Sequence, residues 1–232
     1  MRDFFNKEAW TSIFSHLKNK KLLTMFLLGF SAGLPLLLVF TTLSAWLRDE
    51  GIVRATIGFF GWVTIFYGFK FLWAPLIDSI KLPLLHKALG KRRSWLLLTQ
   101  IFIGIFLFLL STITPNGENI FINSFNRHEI MLPISPSIFY IPHLAIFAIL
   151  AIFVSFFSAS QDIVVDAYRI EIAPIESQGI LTAGYQFGYR VAILVSGAGA
   201  LYIADSYTWE ISYKIMSSLM LIGIITTLLS SE

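Results

Sequence analysis

The chain has 232 residues, 56% hydrophobic and only 13% charged, with a mean hydropathy of +0.74 and a net charge of +3. A soluble domain carries about 25% charged residues, so this chain cannot clothe a water-exposed surface with polar groups. Disorder is excluded as well, and the absence of Cys excludes a disulfide-stapled module. The pI near 9.1 comes from basic residues grouped by side of a membrane, a mark of orientation and not of nucleic-acid binding.

Residues 1–21 place Trp10, Ile13, Phe14 and Leu17 at helical spacing among lysines. This reads as a short interfacial helix or a frayed tail on the cytoplasmic side. Beyond it, a bilayer core about 30 Å thick needs about 20 apolar residues in helix. Six runs in 22–232 satisfy that need: 22–47, 56–80, 95–114, 141–165, 180–204 and 213–229. The first is too long for a signal-peptide core and no small-residue cleavage site follows it, so it is expected to stay in the membrane. The expected fold class is therefore an all-α membrane protein of six transmembrane helices.

Lys and Arg in the loops predict the orientation. One side collects Arg2, Lys7, Lys18, Lys20, Lys21, Lys81, Lys87, Lys91, Arg92, Arg93 and Arg169. The other has Arg48, Arg54, Arg127 and Lys214. Both termini are thus expected in the cytoplasm.

Ionisable groups inside spans cost roughly 2.5–3.5 kcal/mol each on insertion scales and require partners or water. In the fourth span, Ser155, Ser158, Asp162, Asp166 and Arg169 fall in one stripe at about 100° per residue. The fifth repeats the pattern with Thr182, Gln186, Tyr189 and Arg190. The second carries Lys70 beside Tyr67 and Trp73, while the third and sixth carry no internal charge. Asp162, Asp166, Arg190, Lys70 and Gln186 are the candidates for a substrate or proton path. An internal salt-bridge cluster that fixes helix packing is the competing reading, and it is the favoured one for Asp166 with Arg169.

Gly29 and Gly33 form a small-xxx-small face, as do Gly184 and Gly188, and Pro35 is expected to bend the first span. The stretch Gly29 to Gly33 also matches G-x-S-x-G. It lies inside an apolar helix rather than at a strand–turn–helix junction, and no His sits mid-span to serve as a base. No metal-ligand cluster, phosphate-binding loop or other enzymatic residue set is legible, so neither an enzyme nor a cofactor is expected.

Several segments then come in a telling order: Gly29 to Leu36 (GFSAGLPL), Thr56 to Phe60 (TIGFF), Phe69 to Asp78 (FKFLWAPLID), Gly90 to Trp95 (GKRRSW), Ser160 to Tyr168 (SQDIVVDAY) and Gly188 to Gly197 (GYRVAILVSG). In this the chain resembles AmpG-type muropeptide permeases of the major facilitator superfamily, over nearly its whole length. The related acetyl-CoA transporters share part of the pattern. The resemblance implies a permease of the cytoplasmic (inner) membrane. It implies proton-driven import of anhydro-muropeptides for cell-wall recycling. Asp78 with Arg92 and Arg93 resembles the superfamily's gating loop between spans two and three, here with a longer insertion.

The superfamily fold has two six-helix halves with the site between them, and this chain supplies one. A second half or a homodimer is the expected partner, together with lipid, a sugar-peptide substrate and no nucleic acid. The alternatives are a truncated paralogue without transport, a regulatory remnant, and an acetyl-CoA-type carrier.

Overall fold

The computed structural model describes residues 20–115 and 143–230. The described residues are mostly helical, with no strand, and form six helices long and apolar enough to cross a membrane. These are Lys20–Asp49, Arg54–Leu72, Lys91–Leu110, His143–Ile172, Ile175–Ser206 and Trp209–Leu229. The architecture agrees with half of a major facilitator superfamily fold. The N-terminal segment before Lys20, the loop holding Arg127 and the last two residues lie outside the described residues. Lys20 and Lys21, expected to close the interfacial segment, instead open the first span.

Three spans are not continuous α-helices. The first is a helix over Lys20–Leu38, a break at Val39 and Phe40, and a second helix over Thr41–Asp49. Pro35 lies inside the first piece and stays buried. The break releases backbone groups that hydrocarbon cannot satisfy. Tyr213 of the sixth span answers this by donating its hydroxyl to the Leu38 carbonyl at 2.7 Å. The fifth span holds a π turn over Val195–Gly199, and Thr42 donates to the Ser196 carbonyl there at 2.8 Å. Each irregularity is thus closed by a neighbouring span.

The second span is the most irregular. The run expected as one helix over 56–80 is a succession of short α and 3₁₀ turns from Arg54 to Leu72, then a separate helix over Ala74–Ser79. Gly58, Gly61 and Gly68 weaken the helix, and β-branched residues at Val63, Thr64 and Ile65 add to that. Pro75 supplies no N–H to carry the helix through Trp73 and begins a new one. The fourth span goes the other way. Expected to end at 165, it runs to Ile172, so Asp166 and Arg169 belong to the helix.

The first span is the centre of the bundle. Of its most apolar stretch 67% is buried, against 28% for the fifth span and 11% for the second. The buried aromatic knot at one end consists of Trp46, edge-on to Phe147, beside Tyr213 and stacked on Trp209. Trp209 also donates to Asp49 at 2.9 Å. The opposite end gathers the basic residues: Lys21 donates to the Ile172 carbonyl, and Arg93 to the Thr227 and Leu228 carbonyls.

Candidate functional site

Asp162 is the most buried carboxylate among the described residues. The fourth span buries its face there among Ser158, Ser160, Gln161 and Val165. A lone carboxylate at that depth demands a counter-charge. Lys70 provides it from the second span: its Nζ stands 3.7 Å from Asp162 Oδ2. The pairing is uneven, because the Lys70 side chain is 37% exposed and that of Asp162 only 12%. Lys70 reaches in from a rim, over the 3₁₀ turn Lys70–Leu72. Trp73 pins this turn to the fourth span by donating to Ser160 Oγ at 3.0 Å, and its ring packs on Phe66 and Phe156. Tyr185 of the fifth span completes the group with a long contact of 3.5 Å to Asp162 Oδ1. Spans two, four and five therefore converge on one carboxylate.

The other expected path residues do not join it. Asp166, four residues on, is exposed, although Val165 and Tyr168 on either side of it remain buried in the bundle. It pairs with Arg169 at 3.5 Å within its own helix. Arg169 turns instead to Thr182 at 2.6 Å and tethers the start of the fifth span. Gln178 reinforces that tie by donating to the Ala173 carbonyl. Gln186 and Arg190 lie on the exposed side of the fifth span, and Arg190 makes no ion pair among the described residues. Both are offered to whatever covers that side.

A second charged group closes the basic end. Arg92, buried at the start of the third span, binds Asp78 at 2.5 Å and Glu171 at 2.7 Å. It joins the helix after the second span to the end of the fourth. Lys91 adds a bond to the Asp78 carbonyl. Arg93 does not join this clamp; it caps the end of the sixth span. A cleft of about 240 Å³ lies beside the clamp, lined by Lys20, Lys21, Thr24 and Glu171 among others, and shares no residue with the Lys70–Asp162 group. No cluster of metal-ligating side chains is present among the described residues.

The glycines explain how close the frame is held. Gly29 and Gly33 lie against the backbone of Tyr185 and Tyr189, and Gly184 and Gly188 against Leu22 and the backbone of Phe26. Both small-residue pairs therefore serve one contact, between the parallel first and fifth spans. This contact sets Tyr185 at the level of Asp162.

Several residues escaped the sequence reading. Tyr185 and Glu171 reach the two charged groups but read as ordinary core or surface types. A polar node deeper in the bundle was also missed. Gln161 donates to Ser31 at 3.1 Å, and Thr227 donates to Gln100 at 2.9 Å. Gly223 makes room for Ser31 and Gln100. An isolated Gln inside the apolar third span was the available signal, since such amides bind helices to one another in membranes.

Comparison with known proteins adds the following. The family model described as acetyl-coenzyme A transporter 1 matches residues 21–227. The anhydromuropeptide permease of Escherichia coli (strain K12) is 38% identical over 209 residues, 90% of this chain and 37% of that protein. The putative transporter AmpG 1 of Rickettsia felis is 32% identical over 216 residues, 93% of this chain and 43% of its own length. The putative transporter AmpG 4 of Rickettsia conorii is 32% identical over 217 residues, 93% of this chain and 46% of its own length. The chain thus spans less than half the length of these curated relatives.

Proposed function

The chain belongs to the acetyl-coenzyme A transporter family of membrane proteins, and on that premise we propose that it forms one six-helix half of a proton-coupled importer of anhydro-muropeptides. The Lys70–Asp162 pair carries this reading. A buried carboxylate with a single ammonium partner gains little net stability from the pair, because the cost of desolvation offsets the attraction. When Asp162 takes a proton it no longer holds Lys70, and one of the fastenings between the second span and the fourth is released. When the proton leaves, the pair closes again. Proton uptake is thereby converted into movement of one span against another. The reading is of a carrier, not an enzyme.

The rest follows from placement. The excess of Lys and Arg supports a basic end, with both termini, on the cytoplasmic side of an inner-membrane protein. The Arg92 clamp holds that end shut. A second six-helix half covers the exposed sides of spans two and five, because Arg190 and Gln186 in bare hydrocarbon are costly. There Arg190 meets the carboxylates of a peptide, and Gln186 its amide or sugar hydroxyl groups.

The test is uptake of labelled anhydro-muropeptide in a permease-null strain expressing this chain with and without a second half. Uptake that requires the proton gradient and disappears in Asp162→Asn is expected. Membrane-inserted protein without uptake in either case rejects the proposal in favour of a non-transporting membrane protein. The description of the matching family favours one other reading, an acetyl-CoA-type carrier in which Arg190 receives a phosphate. Competition by acetyl-CoA, and not by muropeptide, identifies it.

A further inference from the structure

Three buried hydroxyls beside the ion pair have no hydrogen-bond partner within the protein: Tyr67, Ser155 and Ser158. Both serines are fully buried. Tyr67 carries its hydroxyl end to the same place, within reach of Ser158 and Ser155, but none of the three meets a protein partner in good hydrogen-bond geometry. Leaving a buried hydroxyl unpaired costs about 1–3 kcal/mol, so three in one spot call for a common ligand. The group is also in register with the pair. Tyr67 precedes Lys70 by three residues, and Ser158 and Ser155 precede Asp162 by four and seven. Spans two and four both run toward the basic end. The hydroxyls therefore sit one to two turns farther from that end than the carboxylate, on the same face of each helix.

The ligand chemistry is decided by charge. A metal cation bound here is disfavoured by the Lys70 ammonium, which already occupies the same carboxylate at 3.7 Å. A neutral molecule that both donates and accepts fits three hydroxyls, and buried waters characteristically make about three such bonds. We propose that Tyr67, Ser155 and Ser158 hold a bound water that relays protons between Asp162 and the end of the bundle away from the basic loops.

The step balances without any further reactant. A hydronium at the outer end gives a proton to the chain, and each hydroxyl or water accepts one proton and passes one on. Asp162 receives a single proton, becomes neutral, and lets go of Lys70, which keeps its charge. This inference rests on the carrier reading and specifies its proton route.

The test compares the wild type, Ser155→Ala/Ser158→Ala and Tyr67→Phe, each reconstituted in liposomes with the second half that transport requires. Removing these hydroxyls breaks no hydrogen bond within the protein. Two readouts are taken: infrared difference bands of ordered water, identified by their shift in heavy-oxygen water, and muropeptide transport. In the double variant the water band should vanish and gradient-driven uptake fall at least about ten-fold, while substrate counterflow stays within about two-fold. Tyr67→Phe should weaken the band and slow driven uptake alone. An unchanged band overturns the bound water. A lost band with unchanged driven uptake makes the water structural and overturns the relay, and so does an equal loss of uptake and counterflow. A wild type that moves no substrate in either assay overturns the carrier reading and the relay with it, and the infrared band then reports on the water alone.

Discussion

Gly188→Ala tests whether backbone proximity between the first and fifth spans organises the site. The added methyl carbon at Gly188 would sit 2.8 Å from the Phe26 carbonyl carbon and 3.0 Å from the Phe30 nitrogen, and closer still to the Phe26 carbonyl oxygen. All three are backbone atoms, so no rotamer change relieves the clash and the helices must part. Overpacking of this kind costs about 1–3 kcal/mol. With rigid obstacles we expect the upper end, about 3 kcal/mol, offset by the roughly 1 kcal/mol that Ala gains over Gly in a helix. The net loss of about 2 kcal/mol is roughly a thirty-fold shift in the unfolding equilibrium. The internal control is Gly104→Ala. Its methyl meets nothing closer than Met220 Cβ at 3.6 Å, so it should stabilise by up to about 1 kcal/mol. Gly184→Ala should fall between the two, because its obstacle includes the movable end of the Leu22 side chain. Denaturant titration of the purified protein in micelles, followed by far-ultraviolet circular dichroism, ranks the three. If Gly188→Ala is as stable as Gly104→Ala, the close contact does not hold the bundle and the placement of Tyr185 must have another cause.

Other substitutions probe the polar contacts. Lys70→Ala should cost about 2–3 kcal/mol, less than the loss of a wholly buried partner because Lys70 is 37% exposed, and Lys70→Ala/Asp162→Asn should recover most of it. Failure of the second change to rescue the first in the same titration would show that the pair is not the interaction being lost. Arg92→Ala leaves Asp78 and Glu171 facing each other without their cation. Hydrogen exchange over Ala74–Ser79 should rise in that variant and not in Arg93→Ala, whose bonds go to the sixth span. Tyr213→Phe removes the donor to the Leu38 carbonyl and should lower stability by about 1–3 kcal/mol, with faster exchange confined to the break around Val39 and Phe40. Uniform destabilisation without local exchange would contradict the assignment of that hydroxyl to the break.

The spans were legible because membrane-crossing helices are written in bulk composition, which needs no knowledge of neighbours. Lys70 and Asp162 were legible for the same reason: a charge in an apolar run is conspicuous. Their partnership was not, since periodicity assigns a residue to a face without saying which helix that face meets. Asp166 shows the limit. It shares the stripe of Asp162 yet is exposed one turn later, and periodicity carries no information on depth. Arg190 shows the reverse case, a conspicuous charge on a side that this bundle leaves uncovered. Tyr185 could not be distinguished from a core aromatic, because its role comes from the glycine contact beneath it. The breaks in the second span are written in its glycines and Pro75, but the apolar content of the run is that of an unbroken helix and masks them.

The uneven attachment of the second span has a consequence for mechanics. Spans one and five touch backbone to backbone and can shift only as a single body. The second span, assembled from short turns and only 11% buried over its most apolar stretch, is fastened to the fourth by Trp73, by Lys70 and, at its far end, through Arg92. Strain applied anywhere in this assembly therefore accumulates in those few fastenings, and a change of one charge at Lys70 is felt as slack along the entire segment.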